Sequence, residues 1–222
     1  MKTTRYTPLQ IFIHIAAQYP VAKVIFDAFT GGLTANPIQD VEQRTGRAAV
    51  TLLLLSLACT PLNTLFGWRE PLKRRRTLGL YAFLYATIHM LIFVNLDYGL
   101  SLPLILDAVT KKVFIIVGVI AFLLLLPLAI TSFDIWKVRL GKNWKRLHRL
   151  VYLIAPLTIL HFAWARKGDI FRLQGNILQP LIYGLILIGF LVLRVGPIRT
   201  WVASLHTRGL FPLKEKKPGS SE

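Results

Sequence analysis

Cysteine is nearly absent: Cys59 is the single one in 222 residues. No disulfide can close within the chain, and no Cys-rich zinc or iron–sulfur motif can be assembled. Acids are scarce too, with 10 Asp and Glu against 27 Lys and Arg and a formal net charge of +17. None of those acids falls in the middle of the second to sixth apolar blocks described below, so carboxylate–histidine proton relays are excluded at those depths. The sequence also lacks a phosphate-binding Gly loop, a dinucleotide fingerprint and a hydrolase triad, which argues against a pyridine-nucleotide site of its own. Its positive charge does not form a basic stripe on a recognisable nucleic-acid-binding fold, and nucleic acid is not expected as a partner. No small-residue cleavage site follows Lys2 and Arg5, and the apolar run after them carries His14, Gln18 and Lys23. That run therefore reads as an uncleaved first helix rather than a signal peptide.

What the chain has in abundance is long apolar runs. It is 54% hydrophobic with a mean hydropathy of +0.54, above the usual content of soluble domains. The apolar residues fall in six blocks, roughly Leu9–Phe29, Ala48–Phe66, Leu78–Leu96, Val113–Phe133, Leu147–Ala165 and Ile177–Val195. About 20 helical residues cross a hydrocarbon core of ~30 Å, so each block is a candidate span. Nineteen of the 27 basic residues lie in the segments that would be inside if the N-terminus is inside, chiefly Arg69–Arg76, Lys137–Arg149 and the C-terminal tail. The other eight share the outer segments with six of the ten acids. The positive-inside rule then predicts an all-α membrane protein, a six-transmembrane-helix bundle with both ends inside. Residues 1–199 form this domain, and 200–222 read as a basic, partly disordered cytoplasmic tail. Gly31–Arg47, rich in Gly and Asn-Pro, reads as a long outer loop, and Pro127 and Pro156 fall inside helices four and five.

Four histidines lie in or at the edge of apolar blocks: His14, His89, His148 and His161. An imidazole in the membrane usually faces the bundle interior with a partner, and neutral imidazole is also an axial ligand for b-type haem. Counted from Leu78, His89 lies ~16 Å up helix three, and His161 lies ~20 Å up from His148 at 1.5 Å per residue. One haem could thus bridge helices three and five in the outer half. His148, at the inner mouth, is a candidate ligand of a second haem, with His14 as its candidate partner. Thirteen residues rotate a straight helix by ~1300°, which puts His148 and His161 off a common face unless Pro156 bends the helix. Arg44 and Arg47 at the outer mouth, and Lys142 and Arg146 at the inner mouth, are candidate contacts for haem propionates or a partner. Each of these cations has an alternative reading as a snorkelling or topology residue.

Three stretches carry a family resemblance: Arg75-Arg76-Thr77-Leu78-Gly79-Leu80 with Tyr85-Ala86-Thr87-Ile88-His89; Leu140 to Tyr152 (LGKNWKRLHRLVY) followed by His161-Phe162-Ala163-Trp164; and Asn36-Pro37, Asp40 and Thr45-Gly46-Arg47. From about Leu9 to Val195 the chain resembles the haem-binding membrane subunit of the bacterial periplasmic methionine sulfoxide reductase system. That family lies in the ferric-reductase-like transmembrane group, which includes the membrane part of NADPH oxidases. The resemblance implies a multi-pass protein of the bacterial inner membrane that passes electrons through heme b, one or two per chain. The donor would be the quinone pool or a cytoplasmic flavin reductase, and the acceptor a periplasmic molybdopterin-containing catalytic subunit that repairs oxidised proteins. It also implies His89, His148 and His161 as haem ligands and an FMN whose binding residues are unknown. Oxidase relatives carry two histidines on helix three, where this chain has one. Two other readings compete, a self-contained ferric or quinone reductase and a transporter or assembly factor without cofactor.

Overall fold

The computed structural model describes residues 6–166 and 177–207, and every regular element among them is helical. The helices are α1 (Pro8–Thr30), α2 (Pro37–Phe66), α3 (Glu70–Leu91), which continues as a π-helical turn over Ile92–Asp97, and α4 (Leu102–Lys111). They continue with α5 (Val113–Ile130), α6 (Asp134–Leu140), α7 (Lys142–Leu147), a 3-10 turn over His148–Leu150, α8 (Val151–Ala165), α9 (Leu178–Val192) and α10 (Gly196–Thr207). Five helical runs are long and apolar enough to cross a membrane: Pro8–Thr30, Pro37–Phe66, Glu70–Asp97, Val113–Ile130 and Lys142–Ala165. A sixth arises if Leu178–Val192 and Gly196–Val202, bent by 76°, count as one span.

The loop expected over Gly31–Arg47 is mostly helix. Asn36 accepts from the Gln39 amide at 3.2 Å and Pro37 occupies the first turn, which is a start signal rather than a turn signal. Residues 37–47 therefore extend α2 well beyond its apolar block. At the other end, α10 runs through residue 200, where the tail was expected to begin; residues 208–222 of that tail lie outside the described residues.

Packing follows from the turns. Gly67, in the left-handed region at φ 63°, caps α2 with its N–H on the Asn63 carbonyl at 3.0 Å, and α3 folds straight back along α2. Helix α5 lies along α8, and α9 packs on α8 and α2. Leu53, Leu57, Ala82, Tyr85, Ile154 and Ala155 form the buried centre.

Helix α1 is mostly exposed and is pinned at several levels, among them the His14–Tyr81 bond at 2.8 Å. Near its start, Thr7 bonds Glu70, which also pairs with Arg74 at 2.9 Å. Near its end, Asp27 pairs with Lys23 and with Arg44, and Arg44 also holds Asp40 at 2.8 Å. In the middle, Pro20 removes one amide from the helical ladder. The Tyr85 hydroxyl from α3 enters there, accepting from the Val21 N–H at 3.2 Å and donating to the Ala17 carbonyl at 2.7 Å. In hydrocarbon neither backbone group has water to turn to. Tyr85→Phe keeps the ring but strips both bonds. It is expected to lower stability by about 1–3 kcal/mol, read as a drop in the melting temperature of the detergent-purified protein, with Tyr19→Phe, on an exposed face of α1, as an unaffected control.

Candidate functional site

Two cavities lie among the described residues of the bundle. The first is lined by Glu42, Gly46 and Arg47 of α2, His89 of α3, Gly118 of α5 and His161 of α8, among others. His89 and His161 meet inside it with ring centroids 6.0 Å apart and planes inclined by 76°. Their similar heights in the sequence are thus realised as a facing pair across the bundle.

Each ring is held in the same way. His89 Nδ1 lies 3.0 Å from the Glu42 carbonyl, and His161 Nδ1 lies 2.7 Å from the Phe114 carbonyl. A carbonyl only accepts, so both Nδ1 atoms carry the proton and both Nε2 atoms keep a free lone pair. Those carbonyls already belong to helices α2 and α5. They stay reachable because the residue four further on is glycine in both cases, Gly46 after Glu42 and Gly118 after Phe114. A helical side chain leans back over the preceding turn, and here it would strike the ring. A Cβ at Gly118 would sit 2.7 Å from the His161 Cε1 and Nδ1, and one at Gly46 would sit 3.2 Å from those of His89.

A metal bonded to both Nε2 atoms at ~2 Å, the usual metal–imidazole distance, would put the ring centroids ~6 Å apart. Among the described residues no three His, Cys, Asp or Glu side chains converge as metal ligands. A metal between these rings would therefore bring its other donors on a ligand of its own. The mouth of the cavity suits an anionic one. The lining carries three cations, Arg47, Lys112 and Arg166, against two acids, Glu42 and Asp97, and Arg47 Nε is buried without a hydrogen-bond partner. Arg166 is steadied by Gln179 at 2.8 Å and lies over the Phe162 ring at 5.7 Å. Arg44, the other outer cation expected to make such contacts, is instead bound up with Asp27 and Asp40.

The second cavity holds His148 with Arg75, Arg76, Lys137, Lys145 and Arg149. The one acid on its lining, Asp134, is paired with Arg76 at 2.9 Å. His148 stacks on Trp144 with centroids 4.1 Å apart. Its Nε2 is 3.1 Å from Thr131 Oγ1, and that hydroxyl donates to the Pro127 carbonyl at 2.6 Å. Thr131 must then accept, so His148 Nε2 carries a proton, the reverse of the other two rings. The expected partner His14 is elsewhere: its Nδ1 bonds the Tyr81 hydroxyl at 2.8 Å, and neither cavity includes it. Lys142 and Arg146 also miss the cavity, whereas Lys145 and Arg149, one helical turn apart, line it. His148 and His161 line different cavities, and His148 sits in the 3-10 turn before α8, so the two need not share one face of a helix.

Residues 45–159 match the family described as the ferric reductase like transmembrane component; both glycines, His89 and His148 fall within the match and His161 two residues beyond it. The chain is 41% identical over 174 residues to the "Protein-methionine-sulfoxide reductase heme-binding subunit MsrQ" of Xanthomonas axonopodis pv. citri, covering 76% of this chain and 80% of the relative. The protein of the same name from Herminiimonas arsenicoxydans is 40% identical over 190 residues, 85% of each chain. That from Xanthomonas campestris pv. campestris strain 8004 is 40% identical over 195 residues, 85% of this chain and 84% of the relative. No solved structure matches the chain.

The glycine contacts rank three substitutions. Gly118→Ala is expected to destabilise by about 1–3 kcal/mol through overpacking against His161, Gly46→Ala by less, and Gly79→Ala, 3.6 Å from Ser56 Oγ, hardly at all. Melting temperatures of the three variants in one detergent check the order.

Proposed function

From the premise that this chain belongs to the ferric-reductase-like transmembrane family, among the haem-binding subunits of protein-methionine-sulfoxide reductase, we propose that it carries electrons across the bacterial inner membrane. The observation that carries the reading is the His89–His161 pair, two imidazoles 6.0 Å apart whose Nδ1 protons are committed to Glu42 and Phe114. Their Nε2 lone pairs would hold the iron of one b-type haem, and Arg47, Lys112 and Arg166 of the same lining would neutralise its carboxylates. When bound, that haem supplies a one-electron carrier. The protein's part is to fix both ring tautomers, to hold the two rings on rigid helices, and to neutralise the carboxylates at the mouth.

The basic second cavity faces the cytoplasm, as the positive-inside rule requires, with six spans and both chain ends inside. Electrons enter there, from the quinone pool or a flavin reductase. They leave at the His89–His161 end to a periplasmic molybdenum-cofactor subunit, which uses two electrons and two protons to reduce each methionine sulfoxide to methionine and water. The second cavity suits a second bis-histidine haem poorly. It has a single histidine, with Nε2 engaged by Thr131, and His14 bonds Tyr81 instead. Five cations around the Trp144–His148 stack suit a planar group with a phosphate, and we assign FMN to this cavity and one haem to the chain.

Pyridine haemochrome analysis of the purified protein is expected to give one haem per chain. His89→Ala and His161→Ala each abolish the Soret band, whereas His148→Ala keeps it and loses the flavin released by acid. A Soret band that survives in both His89→Ala and His161→Ala overturns the ligand assignment, two haems per chain overturn the assignment of the second cavity, and a colourless protein favours a transporter or assembly factor. Methionine sulfoxide reduction that needs a co-purifying molybdenum protein separates this subunit from a self-contained reductase.

A further inference from the structure

The two cavities end against each other at one level of the bundle. On α3 the second cavity reaches Phe83 and the first begins at Ala86; on α2 the first ends at Val50 and the second begins at Leu53. On α5 there is no gap, because Leu125 lines both. Phe83, from the wall of the second cavity, stacks on Phe122, from the wall of the first, with centroids 5.8 Å apart and planes inclined by 13°. Three residues on α3 amount to ~4.5 Å at 1.5 Å per residue, so the partition is about one side chain thick.

We propose that Phe83, Phe122 and Leu125 form an apolar septum that keeps water and protons from passing between the two cavities. The cavities approach from opposite ends of the bundle, the first beside the N-terminal part of α2 and the second beside Arg75, Arg76 and Lys145. Both are lined by charged or polar groups that favour water. Joined, they would make a conduit through a bundle that crosses a membrane. A narrow apolar constriction stops water by dewetting, and neither a stacked aromatic pair nor a buried leucine offers a hydrogen bond to carry a proton. The septum thus lets the two ends exchange electrons without short-circuiting the membrane. The inference rests on the bundle crossing a membrane and not on what either cavity holds.

The test is passive proton entry into liposomes carrying the purified protein and a trapped pH-sensitive dye, driven by a potassium diffusion potential. Wild type and Phe122→Leu, which keeps an apolar plug, are expected to be as tight as empty liposomes. Phe83→Ala/Phe122→Ala is expected to admit protons at least about tenfold faster. Leu125→Ser, a smaller change that places a hydroxyl in the same layer, is expected to leak as well and serves if the double variant does not elute as a folded protein. Wild-type tightness in either folded variant, or a leak in wild type itself, overturns the proposal. Because the assay reads proton entry and not a spectrum, its result is independent of the haem assignment.

Discussion

A buried imidazole must place its N–H, and in this bundle the whole His89–His161 site depends on where it does so. Inside a membrane the donor has no water, and an unmet donor costs several kcal/mol. Both rings solve the problem with a backbone carbonyl that a glycine one turn on leaves uncovered, Glu42 with Gly46 and Phe114 with Gly118. The bond does more than satisfy a donor. It fixes the tautomer, aims the free nitrogen of each ring away from the supporting helix, and ties α3 to α2 and α8 to α5. Those are the helix pairs that make the core of the fold. The site and the scaffold are held by the same two hydrogen bonds.

The same need to satisfy every polar group runs through the rest of the molecule. Tyr85 answers the break that Pro20 makes in α1, and Asp27 with Arg44 closes the far end of that helix. Arg194, at the bend between α9 and α10, bonds the Tyr152 hydroxyl and the Leu57 carbonyl and lies over the Tyr152 ring at 5.2 Å. Charges that look like free surface cations along the sequence are thus partly structural ties. Arg44 is the clearest case, since its position near a cavity mouth does not make it a cavity residue.

The two cavities are chemically unlike. One contains two imidazoles presenting lone pairs; the other contains one imidazole acting as a donor within a crowd of cations. These are different chemistries a few side chains apart, separated by a thin apolar layer. Under the proposed function, a carrier between two kinds of partner has reason to keep two unlike compartments.

Much of this was legible along the chain. Apolar runs of about 20 residues can be little but spans, because hydrocarbon thickness fixes their length, and rise per residue alone put His89 and His161 at matching heights. Helix starts were read less well: Asn36-Pro37 looked like a turn and proved to be a cap, since the same dipeptide serves both. Arg166 and Lys112 do not stand out along the sequence as lining residues, and His14 bonds Tyr81 rather than meeting His148, because depth along a helix says nothing about which way it faces. The Gly46 and Gly118 spacing from Glu42 and Phe114 was visible in principle, but a glycine acquires meaning only when a ring from another helix arrives over it. The sequence by itself determined the long apolar helices, the position of polar residues along them and the family. Rotation of each helix about its axis, and so the pairing of imidazoles, the tautomer of each and the wall between the cavities, was decided only by tertiary packing, where side chains on different helices compete for the same space and the same carbonyls.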